Sequence, residues 1–215
     1  MTYLNLVNAV LRKLREDEVT TIDESDYSKL IADFVSDAVQ LVENSWDWSA
    51  LRYTYTLPTV AGTSTYSLTD FGSRSKILYI HNETYNSYVY QESLQRIREL
   101  ALGTNDAQGP VRYFAVDSLD SNDDAQIRLY QTPNSVQTLS VYTVKRSTSL
   151  SEDTDNVTVP TQPVIQFAFA YALRERGETG GQSAAEQLIF AQEDLRNAIT
   201  FDANLHPEEL IWYTP

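Results

Sequence analysis

Leu4, Val7, Leu11 and Leu14 recur at helical spacing, and Leu6 and Val10 widen the stripe. This pattern predicts an amphipathic helix near the start of the chain. The charged stretch Arg15-Glu16-Asp17-Glu18 and the β-branched run Val19-Thr20-Thr21-Ile22 close it. A second helix is expected from about Asp23, because Thr21-Ile22-Asp23-Glu24 reads as a capping box and acids crowd the first turn, where the helix dipole favours them. Tyr27, Leu30, Ile31, Phe34, Val35, Ala38, Leu41 and Val42 carry the helical period on to about Trp46, with Lys29, Asp33, Ser36, Gln40 and Glu43 on the opposite face.

The pattern changes at Leu51. Arg52 to Leu57 is β-branched and aromatic until Pro58 breaks it, Ala61-Gly62-Thr63 forms a turn, and Thr65 to Leu68 resumes an extended pattern. Lys76 to His81 reads as a strand that Tyr85 to Tyr90 can pair with. Glu92 to Leu102 interrupts as a short amphipathic helix closed by Gly103. Pro110 to Val116, Gln126 to Tyr130 and Gln137 to Lys145 supply three more strands, and the polar, acidic stretch Ser147 to Thr158 is a loop. Helices then return. Thr161 is a plausible N-cap with Pro163 in the first turn, and Val164 to Leu173 is apolar almost all round, which implies deep burial. After Gly177 and Gly180-Gly181, a last helix opens at Ser183 with Leu188, Ala191, Leu195 and Ala198 on one face, and His206-Pro207 stops it.

The expected fold class is therefore α+β. A four-helix core forms from the N- and C-terminal helix pairs, since two helices alone bury too little apolar surface, and an antiparallel β-rich region is inserted in it. The expected parts are N-terminal core helices over 1–50, the inserted region over 51–150, C-terminal core helices over 151–205 and a tail over 206–215.

Composition narrows the function. There is no cysteine, which excludes disulfides, thiolate nucleophiles and thiolate metal sites. No apolar run approaches the ~18 residues of a membrane span, and no secretory signal is visible in the first residues. The net charge of -14 is unevenly spread: residues 1–50 carry -6, residues 51–150 are neutral, and residues 151–215 carry -8. A tight nucleic-acid binder shows a basic patch instead, and acidic ends repel phosphates or simply keep the chain soluble.

Catalytic chemistry finds little to build on. His81 ends a strand and His206 precedes a proline, and neither lies in a recognised motif. The glycines at 177, 180 and 181 lie between two helices and read as helix termination rather than as a phosphate loop. The acidic runs Glu16-Asp17-Glu18, Asp123-Asp124 and Glu152-Asp153-Asp155 lack the alternating oxygen ligands of a calcium loop and read as solvated faces. No catalytic, cofactor-binding or metal-ligating residue is expected. Trp46-Asp47-Trp48 is the most distinctive local feature, either as core at the junction of helix and strand or as a ligand platform. Leu210-Ile211-Trp212-Tyr213 is an apolar run outside any helix, and it either folds back or docks on a partner.

The order of these segments resembles the head-to-tail adaptors of tailed phages, of the tail tubular protein A type. The resemblance rests on Asn5 to Leu14, on Asp37 to Asn44 followed by Trp46-Asp47-Trp48, on Ala61-Gly62-Thr63 before Tyr66-Ser67-Leu68, on Leu129 to Pro133, and on Pro160 to Gly177. It implies a structural virion protein, not an enzyme and without cofactor, located in the neck or tail and assembled in the host cytoplasm. It further implies a ring, expected to be a dodecamer, between a portal protein and a tail nozzle or tail-tube protein, with DNA passing through the lumen unbound and no membrane involved. Asp33, Asp37, Glu186 and Glu193 are then candidates for an acidic lumen wall, and Leu210, Ile211, Trp212 and Tyr213 for a docking tail. Two other classes stay open: a hydrolase with paired carboxylates, and an acidic binding module such as a DNA mimic.

Overall fold

The computed structural model of the chain describes residues 1–103, 107–147, 150–177 and 182–205. By internal contacts the chain divides into two compact units, one of Met1–Ala50 with Ser149–Pro215 and one of Leu51–Thr148.

The first unit holds helices α1 (Tyr3–Lys13), α2 (Asp26–Ser45), α4 (Thr161–Arg176) and α5 (Gln182–Leu205), and the second holds α3 (Leu94–Gly103). Helix α1 begins where the Thr2 hydroxyl accepts the Asn5 N–H, and it buries Leu6, Val7, Val10 and Leu11 as its stripe requires. The expected start of α2 needs correction. Glu24 accepts both the N–H and the hydroxyl of Thr20, and the Thr21 side chain makes no capping bond, so Thr21 precedes only a short 3-10 turn over Ile22–Glu24. The helix itself is capped by Ser25, whose hydroxyl accepts the Ser28 N–H at 3.0 Å while Ser28 answers through its own side chain. Helix α4 packs against α1, α2 and α5 and buries Val164, Phe167, Ala168 and Ala172, so its apolar run has neighbours on most sides. Gly177 ends it in the left-handed region at φ +65°.

The polar segment before α4 is used structurally. The carbonyls of Asp155 and Asp153 accept the N–H groups of Tyr3 and Leu4, and the Asp153 carboxylate accepts the Ile22 N–H. The Asp155 carboxylate in turn accepts the N–H groups of Glu152 and Ser151, which hold its pKa below the ordinary value. Asp120 is held low in the same way, first by the Ser67 hydroxyl and then by the N–H groups of Asn122 and Asp124. The sign follows: a carboxylate lowered in the folded state stabilises fully above its unfolded pKa of about 3.9, and that contribution fades as pH falls through the lowered value. Asp155→Asn is therefore expected to lower the urea midpoint at pH 6, with the gap to wild type narrowing as pH falls below about 4. A gap between the two that stays constant with pH would contradict this.

The second unit carries strands β1 (Arg52–Pro58), β2 (Thr65–Ser67), β3 (Lys76–Asn82), β4 (Ser87–Gln91), β5 (Tyr113–Leu119), β6 (Ala125–Tyr130) and β7 (Thr138–Val144). They form one sheet in the order β1-β7-β3-β4-β5-β6-β2. All pairs are antiparallel except β4 with β5, where Tyr90 lies opposite Tyr113. This overturns the expected fold class. Among the described residues the chain has five helices and a curled, mixed seven-stranded sheet, a half-barrel, rather than a four-helix core with an inserted antiparallel region. The reason is α3. A hairpin loop can only reverse the chain, whereas a helical connection returns it to the same end, so β5 enters parallel to β4.

One face of the sheet buries Leu68, Phe71, Ile80, Val89, Phe114, Ile127, Leu129, Leu139 and Val141. Ile97 of α3 packs with Ala115 and Tyr130, each next in sequence to a residue of that first cluster and so on the opposite face. Gln137 is fully buried. Its side-chain oxygen accepts the Asn82 amide at 2.7 Å and the Val111 N–H at 3.1 Å, and its amide donates to the Gly109 carbonyl at 2.9 Å.

Candidate docking surfaces

Asp33 and Asp37 sit one turn apart on the exposed side of α2, and Glu186 and Glu193 lie exposed on α5. The first two act on one group: burial pushes the Tyr3 hydroxyl up to about 12, and Asp33, Asp37 and Asp155 add to it by repelling its anion. Glu186 and Glu193 are not among the charges that act on Tyr3. The tail residues Leu210, Ile211, Trp212 and Tyr213, and His206, lie outside the described residues.

Beside Asp37 the helices α2 and α4 leave an open groove of about 450 Å³, lined by Phe34, Asp37, Tyr171, Arg174 and Glu175. Phe34 and Tyr171 meet edge to face, 6.3 Å between ring centroids. Burial raises the Tyr171 hydroxyl, and Asp37 raises it further. Sequence spacing placed Phe34 on the inward stripe of α2, but it carried no hint that Tyr171 would stand against it.

The two indoles near residue 47 separate. Trp48 is 1% exposed and donates its indole N–H to the Val42 carbonyl at 2.7 Å. Trp46 is 37% exposed and donates to the Asp202 carboxylate at 3.0 Å. The core reading therefore describes Trp48 and not Trp46.

Two further surfaces escaped the sequence reading. Helix α5 buries Ala191 and half-buries Leu188, Leu195 and Ala198 as its stripe predicts, yet it also exposes Ile189, Phe190, Phe201 and Leu205. Their apolar character, away from that stripe, was the available signal. On the sheet, Tyr142 stacks on Tyr79 with 4.4 Å between centroids, and Tyr88 meets both Tyr79 and His81 edge-on. His81 also faces Glu83 at 3.1 Å. Strand alternation explains this cluster: Ile80 and Val141 point to the core, so Tyr79, His81 and Tyr142 point away from it. Surfaces rich in exposed Tyr and Phe, with few charges at their centre, have the make-up of protein-binding surfaces.

Comparison with known proteins agrees. A family model matches residues 1–205 and puts the chain among the structural adaptors of phage particles. The model is that of the SU10 adaptor protein, and the chain belongs to that family. No curated protein matches it.

Proposed function

We propose that this protein is the head-to-tail connector of the phage particle, a ring, with twelve copies expected, that joins the portal protein to a tail nozzle or tail-tube protein. The observation that carries the reading is the family match along nearly the whole chain. The exposed Phe and Tyr surfaces support it, because a subunit built to stand alone has no use for Phe190, Phe201, Tyr79 and Tyr88 in water. The protein acts by holding its neighbours and not by turnover, and it takes its place in the neck after assembly in the host cytoplasm. DNA passes through the ring without specific binding. Asp33, Asp37, Glu186 and Glu193 contribute to an acidic wall on which phosphates find no cationic partner. Leu210, Ile211, Trp212 and Tyr213 serve as a docking tail.

Mass measurement of the chain alone and mixed with the portal ring tests this. Joint assemblies are expected in the mixture, and a chain that never joins the portal overturns the connector. Removing residues 210–215 is expected to weaken attachment at least tenfold while leaving the circular dichroism spectrum unchanged. Full attachment after that removal would take the docking role from the tail.

A further inference from the structure

We propose that the groove walled by Phe34 and Tyr171 is a docking site for a basic segment of a partner protein, and that it receives one Lys or Arg side chain of that segment. The groove's chemistry favours a cation. Asp37 and Glu175 stand at its rim against the single base Arg174, and Asp33 adds a further negative charge one turn along α2. Among the described residues, no hydrogen bond or ion pair holds the side chains of Asp37, Arg174 or Glu175. The two rings offer a polarisable wall on which an ammonium or guanidinium is attracted by the ring quadrupole. A volume of about 450 Å³ exceeds what a bare ion fills and matches a side chain with part of its backbone.

The same unit shows this chemistry completed elsewhere. Arg176 lies 5.0 Å over the ring of Tyr27, donates to its hydroxyl at 2.8 Å, and pairs with Glu16 at 2.6 Å. Lys13 likewise stands 5.5 Å over Phe169. Tyr171 with Asp37 and Glu175 has the phenol and the carboxylates of the first arrangement, but among the described residues no base stands over the Tyr171 ring, Arg174 included. Arg174 limits the groove to one incoming cation and offers a donor to a backbone carbonyl or an acid beside it. Nucleic acid is disfavoured, since two carboxylates against one guanidinium repel phosphate. In this reading Asp37 leaves the set of wall acids, because a docked base neutralises it, while Asp33 remains.

The inference goes beyond the connector reading and changes it only at Asp37. The test is a selection of randomised octapeptides on the full-length chain, followed by anisotropy titration of the best binder against wild type and the double variant Asp37→Asn, Glu175→Gln. Both replaced side chains are exposed, so the variant should fold, as circular dichroism will show. Wild type is expected to select peptides with Lys or Arg beside an apolar residue, and the double variant to bind the best of them at least tenfold more weakly. No selection above background, no enrichment of basic residues, or equal binding by the variant overturns the proposal. A chain that joins the portal ring and yet fails this selection keeps the connector function and loses the groove.

Discussion

Replacing Trp48 with alanine is expected to cost about 3–5 kcal/mol of unfolding free energy. The indole is 1% exposed, and its N–H donates to the Val42 carbonyl in the last turns of α2, so truncation opens a large cavity and leaves that carbonyl with the Ser45 hydroxyl as its other side-chain donor. Trp46→Ala is the control, with about 1 kcal/mol or less expected, because its ring is already partly in water. Asp202 keeps the Ser49 N–H as a partner when that indole is gone. Urea titration of the two variants measures the contrast. Equal losses would mean that the two indoles share one environment.

A second large effect is expected at Gln137. Gln137→Leu keeps the volume roughly constant and strips three buried partners of their bonds at once: the Asn82 amide, the Val111 N–H and the Gly109 carbonyl. Each orphaned group costs about 1–3 kcal/mol, so a total of about 4 kcal/mol is reasonable. Adding Asn82→Leu removes one of the three orphans, and the double variant should lose less than the sum of the single losses. Strict additivity in that cycle would show that the amide pair carries no coupling. Gln137 was legible in the sequence only as a strand residue, since nothing local marks a glutamine as buried; its partners come from strand and loop positions 26 to 55 residues away.

Much of the local structure could be read from neighbouring residues. The stripe of α1, the all-round apolar run of α4 and the strands from Arg52 to Val144 each express a period of 3.6 or 2 that the residues carry themselves. The start of α2 shows where local reading fails. Thr21 and Ser25 each begin a four-residue pattern of this kind, but the Thr21 side chain makes no capping bond, whereas Ser25 and Ser28 cap each other reciprocally. The helix at 94–103 could be read as well, but its consequence could not. Whether a connecting helix leaves the next strand parallel or antiparallel depends on where the chain returns in space, and that return made the sheet mixed.

The candidate site divides along the same line. By itself the sequence determined the absence of cysteine, the acidic ends, the periodic elements and the order of segments that carries the resemblance to phage adaptors. These are properties of residues and their near neighbours, and no folding is needed to read them. Only the tertiary structure decided that Tyr171 stands against Phe34 beside Asp37, that Trp48 is buried while Trp46 is not, and that Tyr79 and Tyr142 stack on the outer face of the sheet. Each of these depends on packing between segments distant in sequence. The periodicity that sets which side of an element is apolar does not say which other element will meet it, or which of its aromatic residues will be left in water.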